Sequence, residues 1–356
     1  MGPPAPLFPL QSAWTAALAD HVVPPLAADS RRVYVATRDG AVTALDQRTG
    51  AVAWRVEGLG GAPAAADRRV VVRNPDGTVF SLRPRDGQLR WRTETGVVGE
   101  LPATLDGDRV YVTGERLVAL DSESGQPVWT HSAPDPLTSP PVATVSRLLV
   151  GDAGGNLRCL DRATGVALWT QPTGGRVLAP AVVDERRGRV YLGTTDQAIL
   201  EIALDRGAPG WRWKVGADVQ AAGLLLPDRV VFAAFDAVLW ALHRGGNLAW
   251  RAPLPSRPLG PPQLLRDYVA VACHESDVLA FSTGNGSPAG SLRTTAEIRT
   301  PLLVAGSRIV LGLRDRSVVA YDFSKDGRPE RPPDVPEPPP ADEADEAPLE
   351  DGVEGR

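Results

Sequence analysis

Apolar residues in this chain fall in short runs of strand length that recur at a nearly fixed spacing. The runs are Val33-Tyr34-Val35, Val70-Val71-Val72, Val110-Tyr111-Val112, Leu148-Leu149-Val150, Val190-Tyr191-Leu192, Val230-Val231-Phe232, Val269-Ala270-Val271 and Ile309-Val310-Leu311. The residue opening each one is Arg32, Arg69, Arg109, Arg147, Arg189, Arg229, Tyr268 or Arg308, giving eight copies separated by 37, 40, 38, 42, 40, 39 and 40 residues. A polar turn follows each run, and then a second apolar segment: AVTALD at 41–46, TVFSLR at 78–83, RLVALD at 116–121, NLRCLD at 156–161 and SVVAYD at 317–322. No segment sustains a helical period, so the pattern predicts β-structure throughout.

A third segment starts after a glycine and reaches tryptophan four positions later, at Gly50–Trp54, Gly87–Trp91, Gly125–Trp129, Gly165–Trp169, Gly207–Trp211 and Gly246–Trp250. That regularity covers six of the nine tryptophans and assigns them one packing role between repeats. A fourth apolar segment precedes the next copy and usually follows proline: Pro24-Pro25, Pro63, Pro102, Pro140-Pro141, Pro180, Pro261-Pro262 and Pro301. Proline suits a strand start, where no ladder donor is lost. Four strands in roughly 40 residues make one blade of a β-propeller, and eight copies predict an all-β, eight-bladed propeller of four-stranded antiparallel blades. The eighth copy has no glycine-to-tryptophan strand after it, whereas Trp14 stands alone before the first copy. Residues 13–17 are therefore expected to supply the last blade's outermost strand and close the ring. The seventh copy has Gly290 and Leu292 where tryptophan is expected.

The domain reading is an extension at 1–12, a propeller at 13–323 and an acidic, proline-rich tail at 324–356. The tail carries too few large apolar residues to offset the cost of ordering and reads as disordered. Net charge is −5, but Lys325–Arg356 holds 11 acidic and 4 basic residues, leaving 32 acidic and 34 basic before it. The body lacks the basic surplus of a nucleic-acid binder. No uncharged apolar run approaches the ~18 residues that span a bilayer. The opening MGPPAPLFPLQS has neither a basic n-region nor an apolar h-region, and no cysteine for lipid attachment. As it stands the chain reads as cytoplasmic; a mature form or a mis-assigned start would read the same.

Candidate chemistry is sparse. Cys159 and Cys273 are the two cysteines, three repeats apart, and are expected to be free buried thiols. Cys273-His274-Glu275 could ligate a metal or act as a base, but neighbours on a strand point to opposite faces, and the set reads as a strand end. Asp39 and Asp76 stand where hairpin geometry wants Asp-Gly, which favours a turn over calcium ligation. His21, His131 and His243 have no accompanying motif. The connectors before each proline vary in charge over a constant scaffold: Asp20, His21, Glu100, Asp135, Arg176, Asp218, Arg257, Glu297 and Arg299. These rim residues are the candidate partner-binding set.

The repeat DGAVTALDQRTGAVAW at 39–54 and its looser copy GGNLRCLDRATGVALW at 154–169 resemble the PQQ-like repeat of eight-bladed propellers. The resemblance covers Trp14 to about Phe323. It implies one of two functions. Quinoprotein dehydrogenases of this family bind pyrroloquinoline quinone and calcium, and characteristically have an adjacent cysteine pair that is missing here. BamB-type members are non-enzymatic propellers of the outer-membrane β-barrel assembly machinery. The expectation is accordingly a non-enzymatic scaffold for protein–protein interaction, with no catalytic, cofactor or metal residues and with other proteins as partners. It is expected to be periplasmic or outer-membrane-associated, and to be a monomeric propeller within a complex. The alternatives are a quinone-binding oxidoreductase and a cytoplasmic interaction module recruiting through its acidic tail.

Overall fold

The computed structural model describes residues 10–66 and 68–323, and their regular structure is entirely β. The tail at 324–356 and most of the 1–12 extension lie outside the described residues. Among the described residues, 32 strands form eight four-stranded antiparallel sheets, the blades of a propeller. Blades 1 to 7 each use four consecutive strands, spanning 22–56, 62–94, 104–132, 142–172, 182–214, 224–253 and 263–293. Blade 8 takes three strands from 303–322 and its outer strand from Gln11–Ala17, which pairs antiparallel with Ser317–Asp322. The predicted closure by the strand around Trp14 is what the ring shows.

The second strands are apolar through their centres because each blade is covered on both faces. In Arg32–Thr37, Val33 and Val35 pack with Trp14, Val310 and Val318 of blade 8, whereas Tyr34 and Ala36 pack with Val70, Val72 and Leu82 of blade 2. Alternate side chains on one strand thus serve opposite neighbours. Among the described residues eight such clusters form, one at each junction.

The tryptophans pin these junctions at the periphery. Trp14, Trp54, Trp91, Trp129, Trp169, Trp211 and Trp250 each donate the indole N–H to a carbonyl of the next blade: Gln47, Pro84, Ser122, Arg162, Leu204, Arg244 and Thr283, at 2.7–3.1 Å. Each ring lies on the turn glycine of that blade. A Cβ on Gly165 would sit 2.4 Å from the Trp129 ring, and Gly165 also has φ +72°. Glycine is needed there for both reasons. The packing role expected of the tryptophans therefore holds, with Trp14, Trp54, Trp91 and Trp250 buried and Trp129, Trp169 and Trp211 half-buried. Trp240, outside their register, is also buried.

The inner strands vary most. Val22–Ala28 has seven residues and Ala62–Ala66 five, whereas Val142–Ala143 and Leu224–Leu225 have two each. Most prolines precede these strands as expected, but Pro63 is the second residue of Ala62–Ala66, and Pro24-Pro25 lies inside Val22–Ala28, at the register break between Val23 and Ala27. An inner strand pairs on one side only, so the lost donor costs no ladder bond.

Candidate functional site

The connectors expected to carry function share one face with the turns between second and third strands. The carbonyls of His21, Arg176, Asp218, Arg257 and Glu297 accept the amides of Arg38, Thr195, Phe235, His274 and Arg314 at 2.9–3.1 Å. In blade 4 the carbonyl of Pro136, next to Asp135, accepts from Ala153 at 2.8 Å. Five of the candidates therefore occupy one repeated position. The backbone is held in register while the side chain is free to vary.

Only some are brought together. At the blade 8–blade 1 junction a cleft of about 410 Å³ is lined by His21, Val22, Pro24, Arg38, Arg299, Leu313 and Arg314. Glu297 spans two of its arginines, 3.3 Å from Arg299 and 3.0 Å from Arg314. Asp20 accepts the His21 amide at 2.7 Å and lies 3.0 Å from its ring. Those contacts hold the Asp20 carboxyl below the usual aspartate range, the backbone bond contributing most. Arg38 has no ion pair among the described residues. The cleft thus offers cations with only part of their charge neutralised, and suits a carboxylate-bearing segment. Arg38 and Arg314 were missed from sequence because both lie in second-to-third-strand turns, which read as purely structural.

Glu100, Asp135, Arg176, Asp218 and Arg257 lie on other connectors, with Arg257 stacked 5.8 Å from the Phe235 ring centroid. The connector carrying Glu100 is anchored by Arg73, which is 3% exposed and donates to the carbonyls of Val97, Leu101 and Thr113 at 2.8, 2.5 and 2.9 Å. Burial pulls its pKa down to about 10, so it stays charged at neutral pH. A guanidinium bound by three carbonyls makes that loop rigid.

The remaining candidates have structural roles. Asp39 accepts Thr37 Oγ1 at 2.6 Å and the Ala41 amide at 3.3 Å, and pairs with Arg55 at 2.5 Å. Asp76 accepts the Thr78 amide at 2.8 Å. Cys273 is fully buried while His274 and Glu275 are exposed, and burial pushes the thiol up to about 12. Both cysteines are free and buried. Among the described residues no three His, Cys, Asp or Glu side chains group so as to hold a metal ion.

Comparison with known proteins agrees with this architecture. The family model described as outer membrane protein assembly factor BamB matches residues 11–112, 75–185, 114–260 and 172–295. The outer membrane protein assembly factor BamB of Vibrio cholerae is 40% identical over 234 residues, covering 58% of this chain and 60% of the relative. The matched stretch therefore spans under two thirds of that relative's length. A quinoprotein ethanol dehydrogenase of Pseudomonas putida is 29% identical over 114 residues, 28% of this chain and 18% of the dehydrogenase. Among solved structures, BamB from Moraxella catarrhalis superposes with a TM-score of 0.75 at 20% identity, over 88% of this chain and all of that one.

Proposed function

The chain belongs to the family of the outer membrane protein assembly factor BamB, and from that premise we propose that it is a non-enzymatic scaffold holding protein partners in outer-membrane protein assembly. The observation that carries this reading is the cleft at the blade 8–blade 1 junction, where His21, Arg38, Arg299 and Arg314 converge on the connector face. Its occupant would be an acidic loop or strand of a partner. Rigid blades keep the cations in place before the partner arrives, so little ordering cost falls on association. Placement in the periplasm or at the outer membrane follows from the same reading. No helix among the described residues is long and apolar enough to cross a membrane.

Affinity capture from the host's envelope fraction tests the proposal. The immobilised chain should recover an outer-membrane barrel-assembly protein, and Arg38→Glu with Arg299→Glu should weaken that capture by roughly tenfold or more, as for charge reversal at a complementary interface. Recovery of a cytoplasmic partner instead would refute it. Calorimetry with pyrroloquinoline quinone and calcium addresses the oxidoreductase reading, and stoichiometric micromolar binding would overturn the scaffold.

A further inference from the structure

On the face opposite the connectors, grooves lie between blades 1 and 2, 3 and 4, and 5 and 6, and they can be compared position by position. Blades 1, 3 and 5 open their second strands with the same triplet, Arg32-Val33-Tyr34, Arg109-Val110-Tyr111 and Arg189-Val190-Tyr191. An aspartate precedes each triplet: Asp29, Asp106 and Asp184. The other wall is the third-to-outer-strand turn of the following blade. There Pro84, Arg162 and Arg244 hold one position, since the carbonyl of each accepts the indole N–H of Trp54, Trp129 or Trp211.

Two of the grooves neutralise themselves across the junction. Arg162 lies 2.8 Å from Asp106 and 3.2 Å from Asp108, and donates to Tyr111 Oη at 3.3 Å. Arg244 pairs with Asp184 and stacks 5.8 Å from the Tyr191 ring centroid. The blade 1–blade 2 groove cannot do this because proline occupies the position. Asp29 closes on its own strand instead, accepting the amides of Arg31 and Arg32 at 2.7 Å each and Tyr34 Oη at 2.5 Å.

The groove that remains has about 640 Å³ and is lined by Asp29, Ser30, Arg31, Arg32, Arg83, Pro84 and Arg85. Four guanidinium groups face one carboxylate that is already bonded. The blade 3–blade 4 groove is about 250 Å³ with two arginines against two aspartates, and the blade 5–blade 6 groove about 540 Å³ with three arginines against two carboxylates. Arg83 is turned toward Gln88 and lies 3.5 Å from Asp86. Arg32 donates to the Arg85 carbonyl at 3.3 Å, and its buried Nε has no partner. Among the described residues, the side chains of Arg31 and Arg85 make no hydrogen bond or ion pair.

We propose that the blade 1–blade 2 groove is a binding site for a phosphate group, either free or carried on a lipid headgroup. Guanidinium forks match phosphate oxygens in pairs, and a multiply charged anion answers several arginines at once. In the two sister grooves arginines and carboxylates are more nearly matched, which leaves less uncompensated positive charge than here.

The exposed pair Arg31→Glu/Arg85→Glu is the decisive variant, since it reverses two of the four charges without altering the Pro84 carbonyl that Trp54 uses. The full chain would be titrated calorimetrically with inorganic phosphate at low salt, and co-sedimented with phosphatidylglycerol and with phosphatidylcholine vesicles. Wild type should bind phosphate or the phosphatidylglycerol vesicles, and not phosphatidylcholine. The Arg31→Glu/Arg85→Glu pair should weaken that binding by roughly tenfold or more. Arg186→Glu, in the blade 5–blade 6 groove, should leave it unchanged. A response to phosphate alone assigns a soluble ligand, and one that includes the vesicles assigns a headgroup. Wild-type indifference to both probes would overturn the proposal, as would a double variant that binds like wild type or an equal loss in Arg186→Glu. Circular dichroism establishes folding; if the double variant does not fold, Arg85→Glu alone decides.

Discussion

Seven junctions of this ring are pinned by a tryptophan lying on a glycine turn, and the eighth, between blades 7 and 8, is not. In blade 1 Trp54 stands opposite Ala44; in blade 7 Gly290 stands opposite Ala280. Both outer strands break register immediately afterwards, at Ala44/Leu45 and at Ala280/Phe281. The bulge therefore belongs to the backbone and does not need the indole. What blade 7 lacks is a turn to pack against. Blade 8 has no third-to-outer-strand turn, because its third strand ends at Asp322 and its outer strand enters from Gln11. Among the described residues no turn glycine stands there for an indole to lie on. Leu10 packs into that junction instead, with Leu292, Tyr321 and Phe323 at its margin. The tryptophan is missing where ring closure has removed its partner.

The largest effect should come from emptying a pinned junction. Trp54 is 8% exposed, and Trp54→Ala should cost about 3–5 kcal/mol in urea unfolding, the range for large buried aromatics. Leu292→Ala at the unpinned junction should cost visibly less, since Leu292 is half-buried. Equal losses would mean that the two kinds of junction do not differ in strength. Next comes the turn itself: Gly165→Ala places a Cβ against Trp129 at φ +72°, and should cost about 3 kcal/mol, the upper end for a non-glycine residue held there. Tryptophan fluorescence should shift with it as the ring is displaced.

A third change inverts the comparison. If blade 7 were merely short of an aromatic, Gly290→Trp would stabilise it. Gly290, however, has φ +136°, a conformation that side chains avoid, and no turn waits on the far side. The substitution should cost about 1–2 kcal/mol. A gain in thermal midpoint would show that the junction is underpacked and that the missing turn is not the reason.

The copy number, the closure through Trp14 and the packing role of the tryptophans were legible because each rests on a period within the chain. Burial on both faces makes the second strands apolar through their centres, and an indole fixed four residues after a glycine marks the periphery. The inner strands were less legible, since their length, from two residues at Val142–Ala143 to seven at Val22–Ala28, depends on how the connectors leave the neighbouring blade. The connector face was singled out as the candidate partner surface from charge variation alone. The clustering of His21 and Arg299 with Arg38 and Arg314 was not, because two of the four sit in turns and the cleft crosses the point where the chain's ends meet. Pro84 was hidden differently. Its meaning appears only beside Arg162 and Arg244, two and four blades on, once the indole bonds have aligned the turns.

The smallest effect concerns the turns that receive the indoles. In blades 1, 3 and 4 the turn opens with Asp46, Asp121 or Asp161. Asp46 accepts the Thr49 hydroxyl at 2.9 Å and two backbone amides at 2.8 and 3.0 Å, and Asp121 and Asp161 repeat the arrangement with Ser124 and Thr164. The hydroxyl bond first, then the amide bonds, hold all three carboxyls below the ordinary aspartate value. A depressed folded-state pKa stabilises the fold above the unfolded value of about 3.9 and loses that contribution as pH falls through the folded value. Blades 2, 5, 6 and 7 have Arg83, Ala203, His243 and Ser282 at this position and carry no such contribution. Asp46→Asn should therefore lower the thermal midpoint at pH 7 but narrow the gap between pH 7 and pH 3, whereas Ser282→Asn should leave the gap as it is. Equal gaps in wild type and Asp46→Asn would place the acid sensitivity elsewhere, in the ion pairs of the connector face, and would separate the stability of the indole turns from their charge.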